Sequence, residues 1–287
     1  MEWITDSNIL IVGLGLIGGS YARALHRLGF RVSAIDPRPE ALDFALEAGF
    51  IDRGYVDVEP EALAKADTAI FALYPGAFRD WLEKYQQYFR PGAMLTDVTG
   101  VESCIVYDIQ AMLRPDLEFI AAHPMAGRER SGVEYSDDRI FRDANYIVVP
   151  TEKNSPAAVE WCKGLGRILG FSHIAVLSPE EHDEMIGFVS QLTHVIAVAL
   201  MTCSDNSHLA EYTGDSFRDL TRIARINEVM WSELFLRNKS ALLRQMDSFM
   251  DEMAALRQML QAGDAGGLME KMRLSTQRRA LFDKIER

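Results

Sequence analysis

Gly13-Leu14-Gly15-Leu16-Ile17-Gly18 sets three glycines at the spacing of a turn that brings bare backbone against a ligand. In a GxGxxG turn the first glycine permits the tight bend. The second lets the main chain approach a pyrophosphate, and the third lets a helix pack closely on a strand. Leu14, Leu16 and Ile17 fill the positions between, where the N-terminus of the following helix faces the negative phosphates. The motif alone is weak, but its context is complete. It follows the apolar run Asn8 to Val12, opens a helical pattern, and is followed by an acid, Asp36, close to the spacing of roughly 20 residues that such sites require. Asp36 is expected to accept hydrogen bonds from ribose hydroxyls and to repel a 2′-phosphate, so NAD is expected over NADP. Arg38 argues the other way, since a nearby arginine accommodates that phosphate. The plain alternative is a glycine-rich turn that binds no dinucleotide, or one that binds FAD.

A second group of residues has the chemistry of proton transfer and anion binding. His123 stands just past an apolar strand end, the edge where ligands bind in doubly wound folds. A neutral imidazole there can remove the proton of an alcohol as hydride leaves. The alternative is a structural histidine. Asp219 and Arg222 are one helical turn apart, so the acid can orient the guanidinium or simply pair with it on a surface. The nearby Phe217, Leu220 and Ile223 point to partial burial, and Arg225 is a weaker cation on the same face. Gln191 and His194 interrupt one apolar helical stripe. They line a pocket or are satisfied core residues. His26, His173, His182 and His208 lack metal-ligand spacing, no metal site is expected, and His182 beside Asp183 reads as structural.

The elements that must carry these residues alternate strand and helix through the first half of the chain. Strands are expected at Asn8–Val12, Arg31–Ile35, 68–73, Met94–Asp97, 118–122, 146–149 and 171–176, with helical patterns between most of them. That alternation predicts an α/β, Rossmann-like, doubly wound parallel sheet. After Ser178-Pro179, a strong helix start with acids following, no strand pattern remains. The division expected is a dinucleotide-binding domain over residues 1–174 and an all-α domain over 175–287.

The net charge of −12 argues against nucleic acid, although an anionic substrate still needs a local basic pocket. Three scattered cysteines, Cys104, Cys162 and Cys203, make a disulfide framework unexpected and fit a reducing cytoplasm. The first residues lack a basic region, so no signal peptide is expected. The apolar stretch from Met185 to Cys203, broken by Gln191 and His194, is expected to be a buried helix rather than a membrane span.

Residues 121–127, Ala-Ala-His-Pro-Met-Ala-Gly, followed by Glu129, Ser131 and Gly132, closely resemble the HPMAG-x-E-x-SG signature of prephenate and arogenate dehydrogenases. Gly13 to Ser20, Ser190 to His194, and Phe217 to Ala224 with Met230-Trp231 are similar to the same family, so the likeness runs from about residue 8 to about 240. The resemblance implies an active site between the domains and a homodimer built through the helical domain. It implies oxidation of a ring hydroxyl with loss of carbon dioxide, giving 4-hydroxyphenylpyruvate from prephenate or tyrosine from arogenate. His123 becomes the catalytic histidine and Arg222 the holder of a substrate carboxylate, for which a bidentate guanidinium is suited. His194 matches the second histidine of the family's SHLPH pattern, Glu129 a position near the pocket mouth, and Trp231 a pocket wall or a core residue. The chain departs from the family at Gly100, where a serine that helps bind the ring hydroxyl is expected. It departs also at Glu102, where lysine is common, and at Gln191 and Thr193. Thr99 is the candidate to supply the missing hydroxyl. Two other readings share the fingerprint: a different two-domain NAD(P)-dependent dehydrogenase, and a catalytically silent NAD-sensing protein.

Overall fold

The computed structural model describes residues 3–128 and 130–282; Glu129 lies outside the described residues. Among the described residues, nine strands form two sheets. Six are parallel in the order β3 (Arg53–Tyr55), β2 (Arg31–Ile35), β1 (Asn8–Val12), β4 (Thr68–Phe71), β5 (Met94–Asp97), β6 (Glu118–Phe119). This is the doubly wound order whose direction reverses between β1 and β4, and ligands bind at that reversal.

Alternate residues of β1 explain why the sheet is covered on both faces. Ile9 and Ile11 join one buried cluster with Tyr21, Ala22 and Leu25 of the helix Leu16–Arg27. Leu10 and Val12 join the opposite cluster with Leu63, Phe78 and Ile105 from helices Pro60–Lys65, Pro75–Tyr85 and Ser103–Met112. Side chains in a strand alternate faces, so a continuous apolar run is what a doubly covered strand requires.

Two features depart from expectation. β3 has no apolar run: it is a three-residue edge strand with Arg53 exposed. The run expected as one strand over 118–122 divides at Ile120. Its first part closes the parallel sheet beside β5. Its second part, β7 (Ala121–Met125), enters a smaller sheet with β8 (Asn145–Val149) and β9 (His173–Val176). The β7–β8 pair is antiparallel and β8–β9 is parallel, so the second sheet is mixed. Phe119 through Ala122 are all buried, and hydropathy carries no mark of where a buried run changes sheet. His123 therefore lies within β7, opposite Ile147, rather than beyond a strand end.

Beyond Val176 the described residues contain helices and turns only. Ser178 caps the next helix through a reciprocal capping box with Glu181, and Pro179 occupies the first turn. Pro179–Ile186, a π turn at Gly187–Leu192 and Thr193–Thr202 form one continuous helical run. By length and composition it is apolar enough to cross a membrane, and 28% of its apolar window is buried. The expectation of a buried helix is thus corrected: Phe188, Val189 and Met201 are exposed.

The chain divides into two compact units, Met1–Lys239 and Ser240–Arg287. The first extends past the last strand because helical side chains bond back to the α/β elements. Glu233 accepts the Gly76 N–H at 2.8 Å, and Asn227 donates to the Tyr74 hydroxyl at 3.2 Å. In the second unit, Lys271 pairs with Glu252 at 2.6 Å, and Asp264 caps the helix Ala265–Arg279.

Candidate active site

The turn after β1 has the shape its glycines predict. Gly13 has φ +96°, and a Cβ there would lie 2.5 Å from the Ala72 carbonyl oxygen. A Cβ on Gly18 would collide with the Gly13 carbonyl, which is the close helix–strand contact. At Gly15 a Cβ would meet nothing within 4 Å. Gly15 is the N-cap of the helix Leu16–Arg27 and provides no side-chain cap, so open space lies before a helix N-terminus, the arrangement that receives a pyrophosphate. These residues fit a bound dinucleotide.

Asp36, at the end of β2, is buried. One oxygen accepts the Leu14 N–H at 2.7 Å and the Arg38 Nη2 at 3.0 Å. The other accepts the Arg38 N–H at 3.0 Å and Nε at 2.9 Å. Burial opposes its ionisation, but the hydrogen bonds from the Arg38 side chain and from the Leu14 and Arg38 backbones outweigh it and hold the carboxyl below its ordinary value. A carboxylate has about four acceptor positions, and all are engaged. A ribose hydroxyl must therefore displace part of the Arg38 fork.

His123 is brought by β7 against the loop that follows β5. A Cβ built at Gly100 would sit 3.5 Å from its Nε2. Its Nδ1 lies 2.9 Å from Nε2 of His182, in the first turns of the helix Pro179–Ile186. His182 Nδ1 is 2.8 Å from Asp183 Oδ1. Asp183 also accepts the backbone N–H groups of Glu102 and Ser103, at 2.8 and 2.9 Å, so one carboxylate ties this helix to the loop. Burial, and then the neighbouring His182, push His123 down to about 3, so the imidazole is neutral near pH 7. A half-buried neutral imidazole with one nitrogen bonded and the other beside open glycine backbone is equipped to receive a proton.

Two buried acids, Asp97 at the end of β5 and Glu102 in the loop after it, flank this turn. Asp97 is buried, and burial pushes it up to about 6 against hydrogen bonds from Thr99 and Ala122. Thr99 donates its hydroxyl to Asp97 at 2.5 Å, which turns it into the protein. Thr99 thus supports the Asp97 turn, and its proton is committed there instead of facing outward from Gly100. Glu102 is buried with both carboxylate oxygens lacking a hydrogen-bond partner, and burial raises its pKa well above the ordinary value.

On the helical side, Gln191 is a satisfied core residue. Its amide oxygen accepts from Asn238 at 2.8 Å and its nitrogen donates to the Leu234 carbonyl at 3.4 Å. His194 donates from Nδ1 to the Ser190 carbonyl at 2.9 Å and stacks on Trp231 with ring centroids 3.7 Å apart. The π turn that contains Ser190 presents that carbonyl one turn before the ring. Burial lowers the His194 pKa, so it is a neutral ring with Nε2 left to accept. Arg222 is exposed at the start of a 3₁₀ turn following the helix Asp215–Thr221, and this turn packs against Thr193–Thr202, the helix of His194. Asp219 is exposed on the preceding turn. Phe217 and Ile223 are half-buried, whereas Leu220 is 62% exposed, so burial around this pair is less than its apolar neighbours implied.

Sequence reasoning set His182 beside Asp183 but missed their link to His123, because residues adjacent in a first helical turn give no sign of a partner on a strand 59 positions earlier. Among the described residues no group of three or more His, Cys, Asp or Glu side chains could hold a metal ion.

Residues 21–170 match the model of the prephenate dehydrogenase nucleotide-binding domain, and residues 178–274 match that of the prephenate dehydrogenase dimerization domain. The chain is 32% identical over 268 residues to prephenate dehydrogenase of Bacillus subtilis, covering 91% of this chain and 72% of that protein. It is 27% identical over 280 residues to cyclohexadienyl dehydrogenase of Zymomonas mobilis, covering 95% and 94%. It is similar to the crystal structure of prephenate dehydrogenase from A. aeolicus in complex with hydroxyphenyl propionate and NAD+, with TM-score 0.90, 30% identity, and coverage of 98% and 100%.

Proposed function

Because this chain belongs to the prephenate dehydrogenase family, we propose that it oxidises prephenate to 4-hydroxyphenylpyruvate with loss of carbon dioxide, using NAD, in tyrosine biosynthesis. The observation that carries the reading is His123: a neutral imidazole, anchored through Nδ1 and open at Nε2 beside Gly100, in a chain with a complete dinucleotide cradle.

When bound, NAD supplies the hydride acceptor. Gly13, Gly15 and Gly18, with the backbone of Leu14, Leu16 and Ile17, hold its pyrophosphate, and Asp36 takes its ribose. His123 Nε2 takes the proton of the ring hydroxyl as that carbon is oxidised. The resulting cyclohexadienone loses its ring carboxylate to become aromatic, so the substrate itself supplies the driving force and the protein need only align the reacting groups. Arg222, oriented by Asp219, holds a substrate carboxylate, and His194 Nε2 offers an acceptor on the helix next to it. Residues 1–174 serve the cofactor and 175–287 the substrate and dimer contacts.

The match to a dimerization domain, together with exposed Phe188, Met250, Met253 and Leu260 on helices of that region, supports a homodimer. A one-chain mass by light scattering would reject it. Three free cysteines fit a cytoplasmic enzyme. Steady-state turnover with prephenate and with arogenate tests the substrate. Faster turnover of prephenate is expected; preference for arogenate would reassign it, and turnover of neither would end the dehydrogenase reading.

A further inference from the structure

His182 is fully buried between His123 and Asp183, and the three side chains form one line of hydrogen bonds. The direction of each bond follows from the end of the line. Burial opposes ionisation of Asp183, but the bonds from His182, the Glu102 N–H and Ser103 outweigh it and keep the carboxyl ionised. A carboxylate only accepts, so His182 Nδ1 carries a proton and donates. A neutral His182 then has a bare Nε2, which also only accepts. At 2.9 Å, His123 Nδ1 must donate to it. A neutral His123 has one ring proton, and that proton is now placed on Nδ1.

We propose that His182 and Asp183 are positioning residues for the dehydrogenation. They hold His123 in the Nδ1–H tautomer, which leaves Nε2 bare beside Gly100 to take the substrate's hydroxyl proton. The inference rests on the reading of His123 as the base. In the step, the substrate O–H bond breaks and an N–H bond forms at His123 Nε2, while the C–H electron pair leaves as hydride to the nicotinamide. The imidazolium that results keeps its Nδ1–H bond to His182, with the Asp183 carboxylate behind as counter-charge. A carboxylate orienting a catalytic imidazole is a known device of hydrolases; here it acts through a second imidazole. A cationic His182 would donate from both nitrogens. It would force His123 Nδ1 to accept and place the His123 proton on Nε2, where it blocks the base.

The chain of bonds is tested first without turnover. Nitrogen-15 NMR of histidine-labelled wild-type protein with NAD, at neutral pH, is expected to show His123 protonated at Nδ1 and bare at Nε2. The opposite tautomer would overturn the inference. Two variants then separate positioning from packing. His182→Phe keeps the ring volume and removes the acceptor, and its kcat is expected to fall about a hundredfold, at the lower end of what a misplaced general base costs, with NAD affinity unchanged. His182→Gln, whose amide oxygen accepts the Nδ1–H bond, is expected to recover at least about tenfold of that loss. Equal kcat in the two variants, or a wild-type kcat in His182→Phe, contradicts the proposal. Should His182→Phe fail to fold, the wild-type tautomer still decides. Wild-type turnover of prephenate tests the dehydrogenase reading separately.

Discussion

A Cβ at Gly100 would lie 3.5 Å from Nε2 of His123, an ordinary contact distance that leaves room for a small side chain beside the base. Gly100 is absent from the glycines with positive φ, so a side chain there meets no backbone strain. Gly100→Ser is therefore expected to fold normally and to place a hydroxyl within reach of His123 and the substrate's ring oxygen. One added hydrogen bond contributes about 0.5–1.5 kcal/mol. The KM for prephenate is expected to fall by about twofold to tenfold. An unchanged or raised KM would show that the space serves something else.

Burial holds the His123 imidazole at about 3, below the 6.5 of a free ring. As pH falls through 6.5 the unfolded chain takes up a proton that the folded site refuses. This group's stabilisation is therefore present above 6.5, is lost progressively on acidification, and is gone below about 3. Asp97 works in the opposite sense: its folded pKa is raised to about 6, so its contribution falls as pH rises from 3.8 through 6. His123→Gln removes only the first effect. Urea unfolding at neutral pH and about two units lower is expected to show a smaller acid-induced loss in the variant, by about 1 kcal/mol after allowing for partial exposure. Equal losses in both proteins would contradict the buried neutral ring.

The Arg38 fork on Asp36 makes cofactor choice a balance of two residues. The acid repels a 2′-phosphate, and the arginine, once released, attracts one. Asp36→Asn keeps an oxygen for the Leu14 N–H and frees the guanidinium. The ratio of kcat/KM for NAD over NADP is expected to drop at least about tenfold, the size of one charge-assisted hydrogen bond. A preserved ratio would mean that discrimination lies elsewhere.

Much of this was readable in the residues themselves. The GxGxxG turn, Asp36, the helix start at Ser178 and the strand alternation are local signals, fixed by turn geometry, capping and periodicity. What stayed hidden is long-range. The division of the 118–122 run between two sheets leaves no local trace, because both halves are buried. Thr99 and Gln191 are polar residues whose partners, Asp97 and Asn238, satisfy them inside the fold. Glu102 is buried with both carboxylate oxygens unpartnered, which charge counting cannot show. His182 gained its meaning only when folding brought His123 beside it.

Arg222 stands on the turn that packs against the helix of His194. A guanidinium holding a substrate carboxylate contributes about 1.5–3 kcal/mol. Arg222→Gln is expected to raise the prephenate KM by about tenfold to a hundredfold, with NAD affinity unchanged. Loss of NAD affinity instead, or an unaltered KM and kcat, would remove Arg222 from the substrate site.

The central claim is that the His123 imidazole takes the hydroxyl proton, and His123→Asn tests it most directly. Prephenate-dependent NADH formation is measured in wild type and variant, alongside NAD binding. Wild-type turnover, a loss of about 10²–10⁴-fold in kcat for the variant, and retained NAD affinity are expected. Near-normal turnover in His123→Asn would contradict that claim.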